Sequence, residues 1–110
     1  LASLKSLAVN NQQVIATSLD GKVVAYNRSN GEVLWESEEL AYRHLTNPVM
    51  IGNYIAVGDF DGVVHLFDPA SGKIVSRVQT KGALSSLQVQ GSRLLTQSTS
   101  GQVAIWQLGR

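Results

Sequence analysis

A repeated unit of about 40 residues constrains this chain more than any single residue does. Each copy contains a glycine that follows a turn-forming residue, and these glycines, Gly21, Gly62 and Gly101, stand 41 and 39 residues apart. Seven residues before each glycine comes an aliphatic side chain, and five residues after it comes an aromatic one: Val14 and Tyr26, Ile55 and Phe67, Leu94 and Trp106. A unit of this size cannot bury its own apolar faces, so it must pack against its neighbours.

Each unit consists of short apolar segments separated by turn residues. The segments are about four residues long, rich in β-branched and aromatic side chains, and bounded by Gly, Asn, Asp or Ser, which is typical of β-strands. They cover residues 7–9, 14–17, 23–26 and 33–35, then 49–51, 54–57, 63–67 and 74–78, then 87–89, 94–96 and 103–106. The inner segments are almost continuously apolar, which indicates strands that are covered on both faces.

Short turns connect these strands. Asp20-Gly21 and Asp61-Gly62 join the second and third strands of their units, and an Asp-Gly pair favours a type I′ turn. The turns that contain Gly31 and Gly72 join the third and fourth strands. Each complete unit is therefore predicted to be a four-stranded antiparallel meander.

These features predict an all-β chain that forms part of a β-propeller. We expect about three four-stranded antiparallel blades, at residues 4–42, 45–80 and 84–108, of which the last lacks its outer strand. A closed ring of at least four blades needs about 160 residues. The 110 residues are therefore expected to be part of a longer protein, with residues 102–108 at an open sheet edge.

The composition excludes several classes of function. The net charge is +1 and no run of Lys or Arg occurs, so a nucleic-acid partner is not expected. The absence of cysteine removes disulfides, thiolate metal sites and cysteine nucleophiles from this segment. No apolar stretch approaches the roughly 18 residues of a membrane-spanning helix. No nucleophile-elbow pattern is present either, which argues against a hydrolase.

A few acidic and histidine residues could carry chemistry. Asp59 and Asp61 resemble the start of a calcium loop, but residues 63–67 supply no further oxygen ligands. We interpret Asp61 as a hairpin residue and Asp59 as a strand-end group that bonds nearby backbone. His65 is expected to be packed and hydrogen-bonded, and His44 to be exposed. No cluster with the three or four ligands of a zinc site is evident.

The connection between the first two units departs from the repeat. It carries about two extra residues near positions 38–43, so Leu40, Tyr42 and Arg43 could form a contact patch for a partner. Arg43 could pair with Glu38 or Glu39. The alternative is a loop that folds back on the edge of the blade.

Residues 25–35 (AYNRSNGEVLW) resemble the blade signature of the quinoprotein-like (PQQ-type) repeat family. The resemblance implies that Gly31 and Trp35 dock one blade on the next. Residues 66–76 (LFDPASGKIVS) keep the turn but have Ser76 in place of the tryptophan, so Gly72 is predicted to be a docking residue of the second unit. Trp106 ends a strand in the third unit, and we predict that it packs between blades, although a tryptophan at such a position could also line a ligand pocket.

Residues 40–49 (LAYRHLTNPV) and 57–65 (VGDFDGVVH) are similar to the late blades of the BamB family. These are propeller lipoproteins of the outer-membrane β-barrel assembly machinery of Gram-negative bacteria. The resemblance covers essentially the whole chain, and it implies the last three blades of an eight-bladed ring.

The BamB resemblance also carries functional expectations. It implies a non-catalytic scaffold without a cofactor, held at the periplasmic face of the outer membrane by an N-terminal lipid that this segment does not contain. The implied partners are the periplasmic domains of BamA and other subunits of the assembly complex, with unfolded outer-membrane proteins as further candidates. One alternative is a fragment of a PQQ-dependent quinoprotein dehydrogenase, which needs a cofactor on the ring axis and a calcium site. The other is a generic propeller interaction module.

Overall fold

The computed structural model describes residues 4–18, 20–41 and 43–107, which form eleven β-strands and no helix that could cross a membrane. The strands are β1 (Leu4–Val9), β2 (Gln13–Ser18), β3 (Val23–Asn27), β4 (Val33–Ser37), β5 (Val49–Ile51), β6 (Tyr54–Gly58), β7 (Val63–Phe67), β8 (Ile74–Gln79), β9 (Leu84–Gln90), β10 (Arg93–Ser98) and β11 (Val103–Gln107). They form three antiparallel sheets, β1-β2-β3-β4, β5-β6-β7-β8 and β9-β10-β11. The predicted all-β architecture is confirmed, and every predicted strand segment lies within an observed strand.

The repeat in the sequence corresponds to a repeat in the pairing of the strands. The aliphatic and aromatic residues that flank each repeated glycine are direct cross-strand partners in all three sheets: Val14 with Tyr26, Ile55 with Phe67, and Leu94 with Trp106. Aliphatic–aromatic cross-strand pairs stabilise antiparallel sheets. The three sheets are therefore copies of one meander, and among the described residues the third copy has three strands instead of four.

The hairpins between the second and third strands differ from the predicted type I′ turns. In the second sheet, Gly62 N–H donates to the Asp59 carbonyl at 3.2 Å, and Asp59 N–H donates to the Val63 carbonyl at 3.0 Å. This pattern closes a three-residue loop whose last residue takes a positive φ, and Gly62 has a φ of +86°. The type I′ prediction was wrong because the glycine ends a three-residue loop instead of filling a two-residue one.

Two apolar cores lie between the sheets. The core between the first and second sheets contains Ile15, Val23, Ala25, Leu40, Leu45, Ile55, Val57 and Phe67. The core between the second and third sheets contains Ile51, Ala56, Val64, Leu66, Leu84, Leu87 and Leu94. Adjacent residues of a strand point to opposite faces, so Ile55 and Val57 face one core while Ala56 faces the other. The second sheet is thus covered on both sides, as its continuous apolar strands predict.

The first and third sheets each leave apolar side chains exposed. Leu7 and Val9 on β1 are 56% and 53% exposed, and Val103 and Ile105 on β11 are 63% and 61% exposed. Among the described residues, β11 pairs with β10 alone, so its other edge is open. The three-sheet stack therefore presents uncovered apolar surface on the sheets at both of its ends.

Candidate functional site

Trp35, on the outer strand of the first sheet, contacts the second sheet. Its indole ring stacks on Phe67, with ring centroids 6.1 Å apart and an angle of 8° between the ring planes. Its Nε1–H donates to the Pro69 carbonyl at 2.7 Å, and Gln13 Nε2 donates to the same carbonyl at 2.7 Å. One backbone oxygen in the β7–β8 loop thus accepts two hydrogen bonds from the neighbouring sheet. The contact combines aromatic burial with a satisfied polar group.

Gly72 provides the space that the Trp35 ring occupies. A Cβ atom at Gly72 would lie 2.4 Å from Cδ2 and 2.5 Å from Cε3 of Trp35, far inside van der Waals contact. The backbone of Gly72 also has a φ of +75°, which side chains other than glycine rarely adopt. The glycine is therefore required both by its backbone conformation and by the close approach of the ring.

The other two predicted docking residues are placed differently. Gly31 occupies the corresponding loop of the first sheet, but it is exposed and no atom lies within 4 Å of a Cβ built on it. Trp106 packs against the core between the second and third sheets, and its Nε1–H donates to Thr96 Oγ1 at 3.2 Å within its own sheet. It also lines a cavity of about 610 Å³ with Thr80 and Leu84. The structure brings Trp35 and Gly72 together, and it brings neither Gly31 nor Trp106 to that contact.

The predicted contact patch in the connection is only partly exposed. Leu40 is 1% exposed and belongs to the core between the first and second sheets, so its side chain does not form a surface patch. That expectation was wrong because the connection folds back and buries its leucine. Tyr42 lies outside the described residues. The Arg43 side chain is 42% exposed.

Arg43 does not pair with Glu38 or Glu39, contrary to the sequence-based expectation. Its Nη1 lies 3.1 Å from Asp59 Oδ2 and 3.3 Å from Asp61 Oδ2. Glu38 instead lies 3.5 Å from Lys22 Nζ. Arg43 thereby ties the connection to the β6–β7 hairpin of the second sheet.

Asp59 is the centre of a buried polar network. Its side chain is fully buried, and Oδ1 accepts hydrogen bonds from the backbone N–H groups of Asp61 at 2.9 Å and Val63 at 3.0 Å. Oδ2 lies 2.7 Å from His65 Nε2, in addition to its contact with Arg43. The interpretation of Asp59 as a strand-end group that bonds nearby backbone is confirmed. In the part of the chain that the structure describes, no group of three or more His, Cys, Asp or Glu side chains is placed to hold a metal ion.

His65 is the second member of this network. It is 2% exposed, and its Nδ1 lies 3.2 Å from Arg77 Nε, which is always a donor. Nδ1 must therefore accept, which leaves the proton on Nε2 to be donated to Asp59. Burial lowers the pKa of His65 below its ordinary value of 6.5, opposed by Asp59 and reinforced by Arg77 and Arg43. His65 is thus packed and hydrogen-bonded, as predicted, and the structure adds that it is neutral at pH 7. His44 is exposed, also as predicted.

Opposing effects act on the pKa of the Asp59 carboxyl. Burial alone would raise this pKa, but the hydrogen bonds from His65, Val63 and Asp61 together lower it below 3.8. Asp59 is therefore ionised at neutral pH. Both carboxylate oxygens already accept hydrogen bonds from protein donors, so Asp59 has a structural role as an acceptor.

The first and third sheets build the same hairpin with a serine in place of Asp59. Ser18 and Ser98 stand at the position of Asp59, and their Oγ atoms accept from the backbone N–H groups of Lys22 and Gln102, each at 3.1 Å. The equivalents of His65 are Val24 and Ala104. Comparison of the repeats could have identified this network, because both polar residues interrupt a pattern that the other copies keep.

Comparisons with known proteins give consistent matches. The family model described as "Outer membrane protein assembly factor BamB" matches residues 1–75. A protein of that name from Taylorella asinigenitalis is 35% identical over 107 residues, which are 94% of this chain and 28% of the relative. The crystal structure of BamB from Moraxella catarrhalis superposes with a TM-score of 0.90 at 55% identity, covering 94% of this chain and 32% of that one.

The propeller fold also extends to more distant proteins. The WD40 repeats of RRP9 superpose with a TM-score of 0.87 at 17% identity, which is a likeness of fold alone. The chain spans about a third or less of the length of the BamB relatives that it matches. The superposition on the solved BamB structure confirms the predicted partial propeller.

Proposed function

This chain belongs to the BamB family of outer membrane protein assembly factors, and we propose that it is the part of a BamB propeller that carries the last three blades. The blades would comprise residues 4–42, 45–80 and 84–108 of an eight-bladed ring. The likeness to the solved BamB structure, at 55% identity over 94% of the chain, carries this proposal. The exposed Leu7 and Val9 at one end of the stack and Val103 and Ile105 at the other support it, since neighbouring blades would cover them.

The function that this assignment supports is that of a non-catalytic scaffold. In this role the ring holds rigid loops and strand edges against other proteins of the outer-membrane β-barrel assembly complex, at the periplasmic face of the outer membrane. The periplasmic domains of BamA are the proposed principal partner. The two inter-sheet cores and the Trp35–Gly72 contact favour rigidity, because packed sheets of this kind deform little.

We also propose that Tyr42 and Arg43, in the connection between the first and second sheets, contact a partner protein. Arg43 is held by two carboxylates beside Phe60, which is 54% exposed and packs edge-on against His44. Tyrosine and arginine are enriched among the residues that dominate many protein interfaces. Leu40 is omitted from the contact, because its side chain is buried.

Binding of the full-length protein to immobilised BamA periplasmic domains tests the function. We expect specific retention, and we expect Tyr42→Ala or Arg43→Ala to weaken it by about fivefold or more, which is the threshold of an energetically important interface residue. Lys73→Ala is the matched control, since Lys73 is exposed in the β7–β8 loop, away from the connection. Thermal unfolding of each variant shows whether weaker binding reflects unfolding.

Two results would argue against the proposal. Absence of retention by the folded full-length protein would oppose the scaffold role with BamA. Turnover of a dye acceptor after addition of quinone cofactor and calcium would favour the dehydrogenase alternative instead. Equal binding by the connection variants and the control would remove Tyr42 and Arg43 from the contact while leaving the scaffold role intact.

A further inference from the structure

Strand β8 is attached to the second sheet beside a buried histidine. His65 on β7 and Arg77 on β8 are cross-strand partners, and Arg77 Nε donates to His65 Nδ1 at 3.2 Å. Among the described residues, β8 pairs with β7 alone, so its outer edge is free. The side-chain bond therefore joins an edge strand to the interior of the sheet.

We propose that His65 and Arg77 form an acid-sensitive latch, which holds β8 on the second sheet at neutral pH and loosens it when His65 takes up a proton. The latch depends on the Nδ1 lone pair, which can accept from Arg77 only while the imidazole is neutral. Protonation at Nδ1 would place a second donor, with a positive charge, against the guanidinium of Arg77.

Burial and the surrounding charges together determine how strongly protonation of His65 is opposed. Arg77 faces His65 from β8, and Arg43 approaches from the connection through its contact with Asp59 Oδ2. Asp59 favours protonation of His65, but its two oxygens already accept hydrogen bonds from Arg43 and from two backbone N–H groups. Asp61 pairs with Arg43 and lies further from the ring. Burial is the largest effect, and it lowers the pKa of His65 below 6.5.

Proton uptake is therefore coupled to exposure of the imidazole. Loss of burial and of the Arg77 contact lets the open state bind the proton more readily than the closed state does. Acidification then favours states in which β8 has moved away from β7. With an open-state pKa near the ordinary value of 6.5, this coupling raises the open population by up to about tenfold between pH 7.5 and 5.5.

The first sheet supplies an internal control. Its corresponding cross-strand pair is Val24 with Glu36, which has no imidazole, and Glu36 lies 3.3 Å from Lys22 Nζ. The outer strand β4 should consequently lack the acid response of β8.

Amide hydrogen exchange of the full-length protein at pH 7.5 and 5.5, corrected for intrinsic exchange rates, tests the latch. We expect protection of residues 74–79 to fall by up to about tenfold while protection of residues 33–37 stays constant. An equal change in both strands, or no change in β8, would overturn the proposal.

Two substitutions separate the latch from general acid sensitivity. His65→Gln keeps an N–H donor and a carbonyl acceptor but cannot titrate, so the pH response of β8 should disappear; a response that persists would refute the latch. Arg77→Met removes the cation that faces the ring, so the His65 pKa, followed by NMR of the imidazole, should rise towards 6.5 from a lower value. An unchanged pKa in that variant would also contradict the proposal, even if His65→Gln fails to fold.

Discussion

Gly72 lies directly beneath the indole ring of Trp35, at a distance that leaves no room for a methyl group. Substitution of Gly72 by Ala should therefore push the first and second sheets apart. The positive φ of +75° adds backbone strain to this clash. We expect the free energy of unfolding of the full-length protein to fall by about 3 kcal/mol, measured by urea denaturation.

Gly52→Ala is the matched control for this substitution. Gly52 also has a positive φ, of +56°, but no atom lies within 4 Å of its Cβ position. Gly52→Ala should lower the free energy of unfolding by only about 1 kcal/mol, because backbone strain is its only cost. Equal destabilisation by the two substitutions would mean that the approach of the Trp35 ring contributes nothing.

Substitution of Asp59 by Asn should be strongly destabilising. The carboxylate accepts from two backbone N–H groups, His65 and Arg43, and an amide would turn an NH₂ group towards one of these donors. We expect a loss of about 3 kcal/mol in urea denaturation, because a buried charge network is left with unpaired donors. The control is Asp61→Asn, because the Asp61 side chain is 75% exposed. This substitution should lower the free energy of unfolding by about 0.5 kcal/mol. A small effect at Asp59 would show that the network is readily rearranged.

The free energy of unfolding should decline in two steps on acidification. The folded pKa of His65 is below 6.5, so the unfolded state binds more protons, and stability is lost as the pH falls below about 6.5 until the folded pKa is reached. The folded pKa of Asp59 is below 3.8, so its contribution is complete above that pH and is lost below it. Urea midpoints between pH 7.5 and 3 should show both declines. In the His65→Gln variant the decline below pH 6.5 should vanish, and the decline below pH 3.8 should remain.

The 110-residue chain on its own should self-associate. Val103 and Ile105 form an exposed apolar surface on β11, whose outer edge is unpaired among the described residues. Such surfaces and edges favour association. Light scattering should show oligomers, and Ile105→Lys should reduce them. Gln107→Lys places the same charge on the same strand outside the apolar pair and should leave association largely unchanged, and a stable monomer of the unsubstituted chain would contradict the prediction.

The sequence was sufficient to predict the strands and their order. The spacing of about 40 residues marked Ile55 and Phe67 as equivalent to positions in the other two units, because repeated units bury equivalent positions in equivalent ways. The structure adds that the two residues are cross-strand partners. The turn type was missed, because an Asp-Gly pair fits both a two-residue and a three-residue loop. The hydrogen bonds that close the loop depend on register, which local sequence does not define.

The side-chain partners were harder to predict than the fold. Arg43 has acidic neighbours at positions 38 and 39, but its partners are Asp59 and Asp61, which the tertiary fold brings close to it. Leu40 looked exposed in a polar loop, yet the connection turns its side chain into the core. The Pro69 carbonyl could not be identified as an acceptor, because a backbone group carries no sequence signal of its own.

The charge of Asp59 limits the order in which the second repeat can change. Serine at this position would restore the hairpin bond of the sister repeats, but it would remove the anion opposite Arg43 and the buried acceptor of His65. Replacement of His65 by an aliphatic residue, as in the first repeat, would have to come first. The serine of the other two repeats is therefore open to the second repeat only after the histidine has been replaced.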